Sequence, residues 1–516
     1  MKKQSNFIRL ISLILSSVML ILILCSCMAK SDGNYSPMAP SYDGMVGGSA
    51  NGDMDTSLEG ENYTEITENS FVSTSENNTS YFSIDANTAS YPNLRDMINN
   101  GYKNIPKDAV RIEEMLNYFS YDYKSPEGED ILSLNASMFD NPYNPETKLL
   151  TIGLAAEEID FSGVQNNLVF LIDVSGSMNS EDKLPLVQQA FILLTESLNP
   201  TDRVSIVTYA GADKVALDGA YGYEKSKIVS TIEDLSAAGS TAGADGIKTA
   251  YQLAEKYFIE GGNNRVILAT DGDFNVGTVT SVGLEALISE KRQSGVYFSV
   301  YGFGRGNIQS EKMETLALKG NGTYSYIDSV KEAKKALVTD IGGSIVTVAK
   351  DVKAGISFNP EYVESFRLIG YENKLLTEEQ FNDSNTDAGE LGSGHTVTVV
   401  YEIKMKNEGV FKAEALLSIA NVIIKYKPTE NVGGDATEEK ELILSVMNSD
   451  YRENPTEQDL FIASVVEFGL ILRNSEYKAD ANLEELVTQL DGLDLSSDEF
   501  KLEFREIVKN YAKSVN

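Results

Sequence analysis

Residues 167–178 read NLVFLIDVSGSM, and this stretch decides the fold class. The run 168–172 is apolar on both faces, which is typical of a buried parallel strand. It leads into Asp173, Ser175 and Ser177, which alternate, so a looped backbone can point all three oxygens at one centre. In open α/β sheets, ligands bind at this carboxyl edge, near the switch in strand order. Oxygen ligands without His or Cys suit Mg²⁺ or Mn²⁺, so the stretch predicts a strand that ends in a metal site.

Two later stretches supply further oxygen ligands. GSTAG at 239–243 places Thr241 before a helical segment, and RVILATDGD at 265–273 is a second apolar strand that ends in a carboxylate, Asp271. Taken alone, DVSGS also fits an ordinary strand-to-helix turn, because Asp and Ser cap helices. The two later stretches weigh against that alternative. A site that folds in this way but binds no metal remains a second alternative.

The order Asp-x-Ser-x-Ser, a distant Thr and a strand-terminal Thr-Asp-Gly resembles the metal-ion-dependent adhesion site of von Willebrand factor type A domains. The resemblance implies that Ser175, Ser177 and Thr241 contact the metal directly. It also implies that Asp173 and Asp271 hold the metal, largely through water. One coordination position is then open for a carboxylate from a partner protein.

Strand and helix patterns alternate between residues 166 and 345, which predicts a doubly wound, mostly parallel, Rossmann-like sheet. After this region the pattern becomes β-rich. TVTVVYEIKM at 396–405, for example, has the period-two alternation of a half-buried strand. We expect the strands before 160 and after 350 to pair into a β-sandwich, with the α/β domain inserted between them. Helical spacing then returns toward the C-terminus.

The N-terminus has the features of an export signal. Basic residues precede an apolar segment, 10–24, which is short for a stable membrane span. The following LCSC resembles the bacterial lipobox, and Cys27 fits as the lipidated residue better than Cys25. An uncleaved anchor is the alternative. Either way we expect the rest of the chain on the extracytoplasmic face of the cell membrane, and we expect no internal disulfide, since the chain has only these 2 cysteines.

These patterns divide the chain into six segments. The segment after the signal is rich in Ser, Gly, Asn and acidic residues and has too few aliphatic residues to fold. The predicted segments are a lipoprotein signal peptide (1–27), a flexible acidic tether (28–80), an N-terminal segment (81–165), the von Willebrand factor type A domain (166–345), a β-rich C-terminal segment (346–450) and C-terminal helices (451–516).

Charge and histidine content exclude several functions. The 516 residues carry 43 basic and 77 acidic side chains, a net charge of −34 that would repel phosphate backbones, so we expect no nucleic-acid binding. The single histidine, His395, excludes a His-based zinc site and would have to serve any Ser-His-Asp hydrolase. We therefore predict that the protein is not an enzyme.

Longer blocks resemble one family from about residue 81 to the C-terminus, the YfbK-like bacterial lipoproteins with a von Willebrand factor type A domain. The loop before Thr241 reads AAGS where that family usually has an extra Gly. The sequence thus predicts a lipid-anchored binding protein that uses Mg²⁺ or Mn²⁺ to capture an Asp or Glu of a partner protein. A metal-dependent envelope hydrolase and a metal-free structural scaffold are the alternatives. The blocks are FSIDANTASYPNLRDMINNGY, AVRIEEMLNYFSYDY, NLVFLIDVSGSM, NNRVILATDGDFNVG, VYGFGRGN, AKDVK, FRLIGYENKLL and AGELGSGHTVTVVYEIK.

Overall fold

The computed structural model describes residues 61–160, 163–239, 244–272, 281–340 and 346–515. All of these belong to one unit, Thr56–Asn516. The predicted signal peptide, Cys27, Thr241 and the tether up to residue 60 lie outside the described residues. Within the described ranges, no helix is both long and apolar enough to cross a membrane.

The described elements alternate in type through the middle of the chain, as the sequence predicts. The strands are β1 (Val72–Ser73), β2 (Thr79–Ser83), β3 (Leu132–Asp140), β4 (Lys148–Ala156), β5 (Asn166–Asp173), β6 (Arg203–Tyr209), β7 (Asp213–Tyr221), β8 (Asn263–Thr270), β9 (Val296–Phe303), β10 (Tyr324–Ile327), β11 (Thr347–Phe358), β12 (Val363–Ile369), β13 (Gly389–Gly392), β14 (Thr396–Met405), β15 (Ser418–Pro428), β16 (Lys440–Met447) and β17 (Tyr451–Arg452). The helices are α1 (Ser90–Asn99), α2 (Ile112–Asn117), α3 (Leu184–Ser197), α4 (Lys225–Glu233), α5 (Ala244–Lys256), α6 (Ser281–Gln293), α7 (Ser310–Lys319), α8 (Val330–Lys334), α9 (Glu378–Asn382), α10 (Glu457–Arg473), α11 (Leu483–Asp491) and α12 (Glu499–Val515).

Strand β5, which contains the apolar run 168–172, lies inside a six-stranded sheet of order β10-β9-β8-β5-β6-β7. All neighbouring strands are parallel except β7, which runs antiparallel to β6. The chain moves from β5 to β6 on one side and returns to β8 on the other, so the strand order switches between β5 and β8. The carboxyl ends of these two strands are therefore the expected ligand position.

Helices cover both faces of this sheet. Val169 and Leu171 point to one face, where α5, α6 and α7 supply the apolar partners. Leu168, Phe170 and Ile172 point to the other face, against α3, α4 and α8. The burial of both faces explains why β5 is continuously apolar, and the predicted doubly wound α/β domain is confirmed.

The remaining strands form a two-sheet sandwich from both ends of the chain. One sheet has the order β1-β12-β14-β4-β3-β17, and the other has the order β13-β11-β15-β16 with β2 added to β11. Strands β4 and β14 pair antiparallel, although the α/β domain separates them in sequence. The predicted sandwich with an inserted domain is therefore confirmed. Its last strand, β17, falls just beyond the predicted boundary at residue 450.

One expectation about this sandwich needs correction. Val397, Val399, Tyr401 and Ile403 share the inter-sheet core, as their spacing predicts. However, β14 is buried on both faces and not half-buried, because Val400 on its other face packs against the helices. Those helices, α1 and α2 from the N-terminal segment and α10, α11 and α12 from the C-terminus, share one apolar core against this sheet.

Part of the predicted tether is also folded. Residues 61–80 include β1, which pairs with β12, and Ile66, which is buried. Asn69 donates hydrogen bonds to the carbonyls of Leu368 and Gly370. These contacts use backbone and amide groups, so the low aliphatic content of the segment did not reveal them.

Candidate metal site

The first part of the site is the loop that follows β5. Asp173 is fully buried at the end of the strand, and its Oδ1 accepts a hydrogen bond of 2.8 Å from the backbone N–H of Ser175. A short 3₁₀ turn, Gly176–Asn179, then brings the hydroxyl oxygens of Ser175 and Ser177 to 3.0 Å from each other. Burial raises the pKa of Asp173 to about 6. The loop therefore holds three oxygen ligands together, as the sequence predicts.

The second part is the loop that follows β8. Asp271 is buried directly after the strand, and a side-chain hydrogen bond joins it to Ser177. The hydroxyl of Thr270 lies 3.5 Å from Oδ2 of Asp173, so the two loops also meet below these ligands. Four of the five predicted ligands are thus brought together at the switch in strand order.

The fifth predicted ligand, Thr241, lies outside the described residues, but the chain that leads to it reaches the site. The backbone N–H of Gly176 donates to the carbonyl of Gly239 at 3.1 Å, and Ala238 donates to the carbonyl of Val174 at 2.7 Å. Gly239 has a φ of +94°, and a Cβ there would lie 3.1 Å from the carbonyl oxygen of Ala210. Glycine therefore permits the close approach of this loop to Ala210, the residue that follows β6.

Sequence reasoning missed two groups that hold Asp271. Lys183 Nζ lies 2.9 Å from Asp271 Oδ2, and Asn307 Nδ2 donates to the same oxygen at 3.1 Å. Burial by itself would raise the pKa of Asp271, but the hydrogen bond and charge of Lys183 bring it below the usual value. Gly304 makes room for this lysine, because a Cβ there would lie 2.3 Å from Lys183 Cγ.

The chemistry of the donor set fits a hard divalent cation. Two carboxylates and two hydroxyls supply oxygen atoms alone, which suits Mg²⁺ and Mn²⁺. Lys183 already pairs with Asp271 Oδ2, so a divalent cation at this position would share that carboxylate with the ammonium group. Among the described residues, no group of three or more His, Cys, Asp or Glu side chains could hold a metal.

The N-terminal segment fixes the neighbouring loop between β9 and α7. Arg305 in this loop donates to Asn93 Oδ1 at 2.8 Å and pairs with Asp96 Oδ2 at 3.0 Å, both on helix α1. Glu61 accepts a hydrogen bond of 3.1 Å from the backbone N–H of Gly306. Because Asn307 follows directly in the chain, the N-terminal segment helps to position the side chain that holds Asp271.

The inserted sheet with its covering helices is that of a von Willebrand factor type A domain. The family model described as "von Willebrand factor type A domain" matches residues 167–339. Proteins of this class commonly mediate protein–protein interactions, often with the help of a metal.

The chain belongs to the YfbK-like family with such a domain. It is 36% identical over 439 residues to "Uncharacterized protein YfbK" of Escherichia coli strain K12, which covers 82% of this chain and 76% of that protein. The model described as "Uncharacterized protein YfbK, C-terminal" matches residues 343–514, and one described as "von Willebrand factor" matches residues 57–151.

Other similar proteins match a smaller part of their own length or resemble this chain in structure alone. Human inter-alpha-trypsin inhibitor heavy chain H4 is 29% identical over 164 residues, which are 30% of this chain and 17% of that protein. The solved von Willebrand factor type A structure from Catenulispora acidiphila is 14% identical and aligns with a TM-score of 0.38 over 77% of this chain and 88% of that one.

Proposed function

We propose that this protein is a lipid-anchored extracytoplasmic binding protein whose metal site captures a carboxylate of a partner protein. The observation that carries the proposal is the convergence of Asp173, Ser175, Ser177 and Asp271 at the switch in strand order. Thr241 is the proposed fifth ligand. Mg²⁺ or Mn²⁺ held there would supply an open coordination position for an Asp or Glu oxygen of the partner.

The exposure of the ligands supports a single direction of approach. Asp173, Ser175 and Asp271 are buried, whereas Ser177 is exposed. A partner side chain would therefore reach the site from the Ser177 side, and the buried carboxylates would help to hold the cation. Surrounding loop residues would then determine which carboxylate-bearing partner is accepted.

Binding without turnover is the better-supported activity for this site. The chain's single histidine, His395, precedes strand β14 of the sandwich and is not one of the groups that contact Asp173 or Asp271. The cationic group at the site is Lys183, whose ion pair with Asp271 leaves it poorly suited to accept a proton as a general base. These features favour capture of a ligand over metal-assisted hydrolysis.

Partner capture in native membranes tests this function. The full chain is cross-linked in membranes of its source organism with Mg²⁺ or with EDTA, then purified and examined for bound protein. We expect a partner that is captured with Mg²⁺ and lost with EDTA, with Asp173→Ala and with Ser177→Ala. Ser180→Ala is the matched control, because this exposed hydroxyl lies on the same loop and is not a proposed ligand. Capture that persists with EDTA and with Asp173→Ala would contradict the metal mechanism.

The proposed anchor has a separate test. Cells that express the full chain are labelled with a radioactive fatty acid, and the protein is then isolated. We expect Cys27→Ala to abolish labelling and Cys25→Ala to leave it unchanged. Equal labelling of the Cys27→Ala variant would contradict lipidation at this cysteine.

A further inference from the structure

A cavity of about 310 Å³ lies between the α/β domain and the sandwich. Its α/β wall includes Arg292 near the end of α6 and Thr323 before β10, and its sandwich wall includes Glu390 and His395. The α/β residues lie at the amino ends of the parallel strands, whereas the proposed metal site lies at the carboxyl ends. The eight-residue strands β8 and β9 place these ends about 25 Å apart, so the cavity is a separate site.

Arg292, Glu390 and the more exposed Asp387 line this cavity without an ion pair among the described residues. Arg292 donates a hydrogen bond of 2.7 Å to Asn321 Oδ1 and has no carboxylate partner among the described residues. Glu390 has only a long contact of 3.5 Å with the hydroxyl of Thr347 and likewise has no cationic partner in the described ranges. Burial raises the pKa of Glu390, and the nearby charges of Lys350 and Arg292 oppose that shift.

The second cationic residue of the lining, Lys374, is already neutralised. Lys374 Nζ lies 2.8 Å from Glu314 Oε1 and 3.1 Å from Asp85 Oδ2. The charge of Lys374 therefore forms ion pairs that hold the two walls together. Arg292 and Glu390 differ from Lys374 because they are half-buried and have no ion pair among the described residues.

The entrance of the cavity is apolar. Leu318 on the α/β wall and Leu375 on the sandwich wall are 42% and 50% exposed. Both leucines line the same cavity, so a ligand would contact apolar side chains of the α/β domain and of the sandwich.

We propose that this cavity binds a small zwitterion with an apolar body, such as an amino acid or a short peptide. The ligand carboxylate pairs with Arg292, the ligand ammonium pairs with Glu390, and the apolar body contacts Leu318 and Leu375. The volume lies within the range of pockets that hold small molecules, and charge-assisted hydrogen bonds at both ends explain why neither charge is neutralised by the protein.

Calorimetric titration of the full chain in detergent tests the proposal. The probes are L-leucine and the dipeptide Leu-Leu, with isoamylamine and isocaproate as analogues that each lack one charge. We expect at least one zwitterion to bind about tenfold or more tightly than either analogue. Tighter binding of leucine assigns a free amino acid, and tighter binding of Leu-Leu assigns a short peptide.

Single substitutions assign each charge to its role. Arg292→Gln should weaken zwitterion binding about tenfold and leave isoamylamine binding unchanged. Glu390→Gln should also weaken zwitterion binding about tenfold but leave isocaproate binding unchanged. Arg292→Lys keeps the charge and should retain part of the affinity. Glu441→Gln on the exposed strand β16 is the control. The absence of heat with both zwitterions, or affinities that neither Gln substitution changes, would overturn the proposal.

Discussion

Charged side chains differ in burial and pairing between the two ends of the parallel sheet. At the carboxyl end, Asp271 is paired with Lys183, and Arg95 is paired with Asp328 directly after β10. At the amino end, Arg292 and Glu390 face one cavity without an ion pair among the described residues. The difference indicates that ion pairs within the protein fix the carboxyl end before any ligand binds. At the amino end, charged groups can still form ion pairs with a ligand. Removal of a charge should therefore cost stability at the carboxyl end and mainly binding at the amino end.

The largest expected effect is at Arg95, which is 2% exposed. Its guanidinium joins Asp328 and Glu332 of the α/β domain to Glu503 of the C-terminal helix α12. Arg95→Met would leave buried carboxylates unpaired and should lower the free energy of unfolding by about 3–5 kcal/mol. Urea unfolding of the full chain measures this loss.

The control for Arg95 is Lys331, which pairs with the same Glu503 but is more exposed. Lys331→Met should change the free energy of unfolding by only about 0–1 kcal/mol. Equal losses for the two variants would show that burial of the charge is not what distinguishes Arg95.

The next effect is at Lys183. Lys183→Met would leave Asp271 buried without its ion-pair partner and should lower the free energy of unfolding by about 3 kcal/mol in EDTA. Because a bound divalent cation would replace the missing charge, Mg²⁺ should raise the unfolding temperature more in this variant than in the wild type. Thermal unfolding with EDTA and with Mg²⁺ measures both effects. A variant as stable as the wild type in EDTA would contradict the structural role of this ion pair.

A buried carboxylate away from both ends provides a smaller, pH-dependent effect. Burial raises the pKa of Glu467 on α10 to about 7. Since the folded protein holds this proton more tightly than the unfolded chain, its contribution is present at low pH and is lost as the pH rises through about 7. Glu467→Gln should therefore raise the free energy of unfolding at pH 8 by about 1–2 kcal/mol and have less effect at pH 5. A variant whose gain is equal at the two pH values would contradict the raised pKa.

The smallest effect should be at the cavity. Arg292→Gln and Glu390→Gln each remove a charge that lacks an ion-pair partner in the described structure, so each should change the free energy of unfolding by less than about 1 kcal/mol. The measurement is again urea unfolding, without added ligand. A loss as large as that of Arg95→Met would remove the contrast between the two ends of the sheet.

The α/β domain and the strand-end positions of the candidate ligands were predictable because the information is local. An apolar strand and the polar residues that follow it are adjacent in sequence, so Asp173 and Asp271 could be assigned to strand ends before their distance was known. The parallel arrangement of β5 and β8 then brings those ends together. The period-two pattern of β14 likewise predicted which residues face the inter-sheet core.

What escaped prediction depends on contacts between distant segments. Lys183 carries no sequence signal for its role, because Asp271 lies 88 positions further along the chain. The folded part of the predicted tether escaped because the partner strand of β1, β12, lies far along the chain. The cavity escaped prediction for the same reason. Arg292 belongs to the α/β domain and Glu390 to the sandwich, and these parts meet only in the folded chain.

The most direct test of the account is the binding of Mn²⁺ to the full chain, followed by electron paramagnetic resonance. We expect one Mn²⁺ per chain, displaced by Mg²⁺, with affinity reduced about 100-fold or more in Asp173→Ala and unchanged in Ser180→Ala. Wild-type protein that binds no Mn²⁺, or an Asp173→Ala variant that binds it as tightly as the wild type, would contradict the claim that these loop oxygens form a metal site.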